Sequence, residues 1–311
     1  MIRSRKVDVV AGGLLVTAMA LSTILVRTID HAREGASLQA VLYISSPKLL
    51  KRLSLGYEGL LADIYWTRVV QYFGGVHRHG GGDYKLLWPL LKITTELDPH
   101  LVPAYEFGGT FLSAKPPDGA GSPELATELV LYGIQNNPRD WHLYYDLAFI
   151  YYNLKDYRNS AEAFLRGSQL PGAHPFLKIM AAQMAQKGGD LDTARMMWTV
   201  TYRTTHDDMI RANAAAHLRA IQAQEDVIAL EQLAKVFQQR AGRFPDTFTE
   251  MISAHLLASL PLDPLGHAYR LEPGGKVVVS DPDDLPFLEK GLPEGYVPPH
   301  VPRLRPAPAN D

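Results

Sequence analysis

The amino-acid sequence predicts a mainly α fold: an α-solenoid of antiparallel helix pairs, with one N-terminal transmembrane helix before it and a small C-terminal β-hairpin module behind it. Three observations carry this expectation. The same residue classes recur 34 residues apart in the middle of the chain. An apolar run from Val9 to Val26 stands behind a basic cluster at the N-terminus. The helical pattern stops at Gly242, where Pro- and Gly-rich turns alternate with short β-branched stretches.

Composition bounds the function. The 311 residues are 46% hydrophobic, enough for a sizeable core. The formal net charge of −2 provides no global field toward nucleic acid or acidic lipid. There is no cysteine, which excludes disulfides, Cys-ligated zinc and thiol catalysis.

The N-terminal run spans 18 residues, near the roughly 20 that a helix needs to cross a bilayer. Residues 1–34 are therefore expected to hold a short basic segment and an anchor. A cleaved signal peptide is the other reading, with Ala18-Met19-Ala20 as its small-x-small site. Arg3, Arg5 and Lys6 precede the run, while Arg27 and Arg33 follow it beside Asp30 and Glu34. This bias places the N-terminus in the cytoplasm and the rest outside it. In a bacterium that is a single pass through the inner membrane with a periplasmic soluble part. Residues 35–56 are expected to form a connecting helix, opened by Ser46-Pro47 with Ser as N-cap and Pro in the first turn.

The repeats occupy 57–208. Asp156-Tyr157…Ser160…Phe164…Gly167 is matched by Asp190-Leu191…Ala194…Trp198…Thr201, 34 residues on. Asp83-Tyr84…Leu87…Leu91…Thr94 is a further copy upstream. Small residues let two helix backbones approach where they cross, and large ones fill the space between pairs. Four copies result: about 68–101 with its leading helix displaced toward 57–73, one from Val102, then 141–174 and 175–208. The copy from Val102 is split by the turn-rich stretch Lys115–Ser122. Asp63 lies in the apolar leading helix, where burial with a Tyr or Trp hydrogen bond is expected and a functional carboxylate is the alternative.

On these residues the chain resembles the tetratricopeptide repeat (TPR) family, and the stretch Leu53–Trp66, running to Tyr72-Phe73-Gly74, resembles the opening of bacterial members that carry a leading membrane segment. The resemblance implies paired antiparallel helices and a concave groove lined by the first helix of each pair. Carried over, the groove positions are Glu106 and Thr110, then His142, Tyr145, Phe149 and Tyr152, then Phe176, Ile179, Gln183 and Gln186. This set is aromatic and weakly charged. Family members that clamp a peptide carboxylate place Lys, Arg and Asn there, so that activity is not implied. An apolar helix or an extended partner segment is the expected occupant.

Residues 209–242 read as a capping pair, with helical stretches Met209–Gln224 and Val227–Arg240. Within 243–285, a helix capped near Asp246 leads to two short strands, about 268–272 and 276–280, joined by a glycine turn. Phe244-Pro245, Leu260-Pro261, Asp263-Pro264, Gly266 and Tyr269 resemble the segment that follows the long helix in major pseudopilins of type II secretion. Asp263 reads as a turn former, with a cation ligand as the alternative. Residues 286–311 are Pro-rich, lack apolar periodicity and are expected to be extended or disordered.

No catalytic signature is found. Gly80-Gly81-Gly82 lacks the Lys-Ser/Thr of a phosphate loop, and no Ser sits in a nucleophile elbow. His77-Arg78-His79 with Asp83 is the densest ligand-like cluster, of the type zinc or copper takes. The expectation is a non-catalytic, membrane-anchored scaffold for protein partners of an envelope complex, with no cofactor, small-molecule substrate or nucleic acid. Two alternatives stand beside it: an accessory subunit of a secretion or pilus machine, and a metal-dependent enzyme using His77 and His79.

Overall fold

In the computed structural model the chain is mainly helical, with one small two-stranded sheet among the described residues. Described are residues 13–24, 47–80, 82–289, 291–292 and 295–305. The helices are α1 (Pro47–Leu53), α2 (Glu58–Arg78), α3 (Leu87–Leu97), α4 (Val102–Ser113), α5 (Pro123–Asn136) and α6 (Trp141–Asn153). They continue with α7 (Tyr157–Ser168), α8 (Phe176–Lys187), α9 (Leu191–Thr204), α10 (Asp208–Ala241) and α11 (Phe248–Ser253). The strands are β1 (Arg270–Glu272) and β2 (Lys276–Val278).

Within α2–α9, consecutive helices pack on one another, while α4 on α6 and α5 on α6 tie neighbouring pairs together. The 34-residue spacing has a local cause. Asp156 and Asp190 are N-caps, their carboxylates accepting from the backbone N–H of Asn159 (3.4 Å) and Thr193 (3.2 Å). Each such cap contributes about 1 kcal/mol. Four residues on, Ser160 and Ala194 are fully buried where the helices meet, and the Ser160 hydroxyl donates to the Ala148 carbonyl at 2.8 Å. Phe164 and Trp198 then fill the interior, both at 0% exposure.

Glycine serves the same purpose at two crossings 34 residues apart. A Cβ at Gly133 would lie 2.7 Å from the Tyr105 ring, and one at Gly167 2.9 Å from Leu177 and Tyr144. Gly74 in α2 has nothing within 4 Å of such an atom. The same substitution should therefore act with opposite signs. Overpacking costs about 1–3 kcal/mol, against the roughly 1 kcal/mol that Ala gains over Gly in a helix. Gly133→Ala is expected to lower the urea midpoint and Gly74→Ala to raise it. A rise for both would mean that Tyr105 yields without cost.

Residues 208–241 form one 34-residue helix, not the expected capping pair. Gln224-Glu225-Asp226 contains neither Gly nor Pro, so nothing interrupts the hydrogen-bond ladder. The Asp207 carboxylate caps its start, accepting from Met209 and Ile210 N–H, and Gly242 ends it with φ 75°. At 1.5 Å per residue it is roughly 50 Å long and joins two cores. Its first half meets Ala182, Ala185 and Trp198 through Ala214 and Ile221. Its second half carries Leu230, Ala234 and Phe237 against Phe248, Met251, Tyr269 and Val277.

In that second core, α11 is capped by Thr247, one residue beyond the expected Asp246. Strands β1 and β2 are antiparallel, Arg270 opposite Val278 and Glu272 opposite Lys276. Gly274 and Gly275 turn the chain between them at φ 81° and 76°. Asp263 Oδ1 accepts from the backbone N–H of Leu265 (2.8 Å) and His267 (2.9 Å), the bonding of a turn former.

Where it is described, the Pro-rich tail is tied to the helices at several points rather than standing free of them. The Gln186 amide donates to the Phe287 carbonyl at 2.9 Å, and Lys187 pairs with Glu289 at 2.8 Å. Farther along, the Tyr296 hydroxyl donates to the Leu154 carbonyl (2.7 Å) and Tyr151 to that of Pro302 (2.8 Å). Arg166 donates to the Arg305 carbonyl at 2.6 Å. Val301 is 1% exposed and belongs to the same core as Leu143 and Phe164. The tail thus runs back from the end of α8 along α6 and α7. Proline holds such a segment extended in advance and leaves its carbonyls free for the helices to take.

At the N-terminus, residues 13–24 are helical and exposed. The rest of the apolar run 9–26, with Ser46, lies outside the described residues. No helix among the described residues is long and apolar enough to cross a membrane.

Candidate functional site

The expected groove residues separate into three groups. On α6, Tyr145, Phe149 and Tyr152 form a continuous row, with ring centroids 4.7 Å and 6.0 Å apart. Tyr145 and Phe149 each turn one side to the buried Phe164 of α7, at 6.1 Å and 5.3 Å, and remain partly exposed. Tyr152 is exposed. His142 is exposed, stacked on Trp141 and held at 2.8 Å from the N-cap carboxylate of Asp140. Glu106 and Thr110 lie on α4, the Thr110 hydroxyl donating to the Glu106 carbonyl at 3.1 Å.

Phe176, Ile179 and Gln183 lie on α8, which packs mainly on α7 and α9. Phe176 is exposed, whereas Ile179 packs against the core around Trp198. Gln186 is a correction. It is 1% exposed, with its amide bonded to Gln224, Phe287 and the His217 ring. The end of α8 is covered by α10 and the tail, so a position expected on open surface is interior.

Three residues that the sequence reading missed extend the face: Trp66, Phe107 and Asp146. Phe107 on α4 is 53% exposed, 6.2 Å from Trp66 of α2 and 6.1 Å from Phe111. The third is Asp146, the only formally charged residue of α6. Burial, then Glu106, pushes its carboxyl up from 3.8 to about 7, and its Oδ2 is buried without a hydrogen-bond partner. Glu106, His142 and Asp140 surround it electrostatically. The face therefore has aromatic walls and an acidic centre. Its signal in the sequence was one Asp between Tyr145 and Phe149.

The cluster at 77–83 disperses. His77 Nδ1 faces the Pro117 carbonyl at 3.3 Å, His79 Nδ1 the Gly75 carbonyl at 2.7 Å, and Asp83 pairs with Lys85. Among the described residues no three His, Asp or Glu side chains are grouped to hold a metal ion. Asp63 is exposed on α2 rather than partly buried, because it falls on the side of that helix away from Ala62, Tyr65 and Val69.

Compared with known proteins, the chain matches no family model, no curated protein and no solved structure.

Proposed function

We propose that the chain is a non-catalytic scaffold of the TPR kind, anchored by its N-terminal apolar run, which holds a protein partner of an envelope complex on the α4–α6 face. The observation that carries this reading is two groups of part-exposed aromatic side chains, Trp66 with Phe107 and Tyr145 with Phe149 and Tyr152, on helices whose Glu106 and Asp146 feel each other's charge. Exposed aromatics are the residues that most often dominate binding energy. Carboxylates beside them favour a partner segment that combines apolar and basic side chains, through ion pairs and cation–π contacts. The periodic caps and crossings support the repeat reading, and the apolar run behind Arg3, Arg5 and Lys6 supports the anchor.

The test uses Phe107→Ala and Tyr152→Ala, both at exposed positions, in full-length chain captured from cross-linked membranes. Each change is expected to weaken retention of the specific partner by roughly 30-fold, as for a binding hot spot of about 2 kcal/mol. Met209→Ala, at an exposed site on α10, should retain it. Equal retention by all three variants would sink the assignment of this face. An active periplasmic reporter at the C-terminus is the expected topology result, and activity only in the cytoplasm would overturn it.

One observation favours the second reading, an accessory subunit of a secretion or pilus machine. A single long helix leads directly into the α11–β1–β2 module, the order in which the pseudopilin-like residues were read. Co-purification with such a machine is its test.

A further inference from the structure

We infer that α1 and the start of α2 form a second membrane contact, an apolar and basic surface seated on an anionic lipid bilayer. The inference rests on the anchored reading above.

Helix α1 packs on α3 and places only Leu50 in the core, at 5% exposure. The large apolar side chains that follow are turned outward: Leu53 is 61%, Leu55 85%, Tyr57 69%, Leu60 59% and Ile64 40% exposed. A soluble surface has no use for five such side chains in a stretch this short. The turn that presents them is held in a costly conformation. Leu55 has φ 51°, the left-handed region where Cβ crowds the following carbonyl oxygen. Buried Ser54 holds that turn, its hydroxyl donating to the Lys51 carbonyl at 2.6 Å. The fold thus spends strain to expose a leucine.

Charge decides among occupants. Lys48, Lys51 and Arg52 are exposed on α1, interleaved with the apolar positions, while the start of α2 carries half-buried Glu58 and exposed Asp63, so the basic part of the surface is α1. Lys48 and Lys51 also line a cavity of about 820 Å³, whose other cations include Lys92, Arg303 and Arg305, against the carboxylates of Glu96 and Glu128. A second copy docked on this surface would bring like charges together. An anionic bilayer accepts both parts, with phosphates beside the cations and leucines and Tyr57 at the headgroup–acyl boundary. The surface also follows the apolar run in sequence, so an inserted run would hold it near the lipid.

The test is nitroxide-lipid quenching. The chain has no cysteine, so Leu55→Cys gives a unique site for an environment-sensitive dye, and Met209→Cys, on α10, is the control. Full-length protein is reconstituted into phosphatidylcholine vesicles with and without phosphatidylglycerol, and flotation is scored separately. The expected result is quenching at 55 well above that at 209, increased by phosphatidylglycerol. It should fall to the level at 209 when Lys48→Glu, Lys51→Glu and Arg52→Glu are combined, since each cation contributes about fivefold to association with an anionic surface. Protein that floats with no more quenching at 55 than at 209 overturns this contact and leaves the anchor standing. Protein that does not float overturns the anchor and this contact with it. Concentration-dependent self-quenching at 55, insensitive to lipid, assigns the surface to a second copy and overturns the inference.

Discussion

Truncation after residue 294 is expected to destabilise the α2–α8 core by about 3–5 kcal/mol, although it removes no helix or strand among the described residues. Full burial of a side chain such as Val301 contributes about 1.5–3 kcal/mol. The hydroxyl bonds from Tyr151 to Pro302 and from Tyr296 to Leu154 add about 1 kcal/mol each. The expected measurement is a lower urea midpoint and a lower thermal midpoint for the truncated chain. Val301→Asp in the full chain should approach the same loss, because it buries a carboxylate in an apolar site. An unchanged midpoint for both variants would show that the tail rests on the helices without holding them.

The second large effect is on pH. His217 is 2% exposed, stacked between Trp198 (4.0 Å) and Phe287 (3.8 Å), with Nε2 buried and without a hydrogen-bond partner. Burial, then Lys187, pushes it down from 6.5 to about 4. Between those values the unfolded chain takes up a proton that the native state refuses. Stability is therefore complete above pH 6.5 and is lost as pH falls toward 4, by roughly 3 kcal/mol at about 1.4 kcal/mol per unit. Asp146 acts in the opposite sense. With its pKa raised from 3.8 to about 7, it keeps a proton in the native state that the unfolded chain has lost. Its contribution is complete below pH 3.8 and is lost as pH rises toward 7.

The two slopes oppose each other between about pH 4 and 6.5, so the wild-type profile in that range should be flat with respect to these two groups. Single variants separate them. Asp146→Asn should leave a chain that weakens as pH falls, and at pH 8 it should exceed wild type by roughly 4 kcal/mol. His217→Phe, which keeps the ring stack, should leave one that weakens as pH rises. Urea midpoints measured from pH 4 to 8 decide this, and parallel profiles for the two variants would refute the assignment of both groups.

What the sequence disclosed was what local physics dictates. Asp156 and Asp190 had to be near helix starts because an Asp there satisfies backbone N–H groups. Ser160, Ala194, Gly133 and Gly167 were legible as crossings because only small side chains fit where helices touch. The continuity of α10 was open to reading in the same way, since Gln224-Glu225-Asp226 holds no breaker, but the pairing seen upstream was extended over it. The tail was hidden for a different reason. Its contacts join residues such as Tyr151 and Pro302, 151 positions apart, and composition reports only that the segment has no period of its own. Gln186 was misplaced by the same distant partner. In the candidate face, Tyr145, Phe149 and Tyr152 followed from their spacing on one helix, whereas Phe107 and Asp146 gain their setting from α2 and α4.

The tail's return to α6 and α7 also orders events during synthesis. Helices α2–α9 make their contacts with near neighbours in the chain and can form as they leave the ribosome. The cleft beside Tyr151 stays unfilled until Val301 emerges, long after α6 and α7 have been made. Nascent protein therefore carries an apolar slot, open to chaperones or proteases, for as long as it takes to make the residues between α7 and Val301. A stop codon ahead of Val301 would leave the helices assembled and that slot permanently vacant.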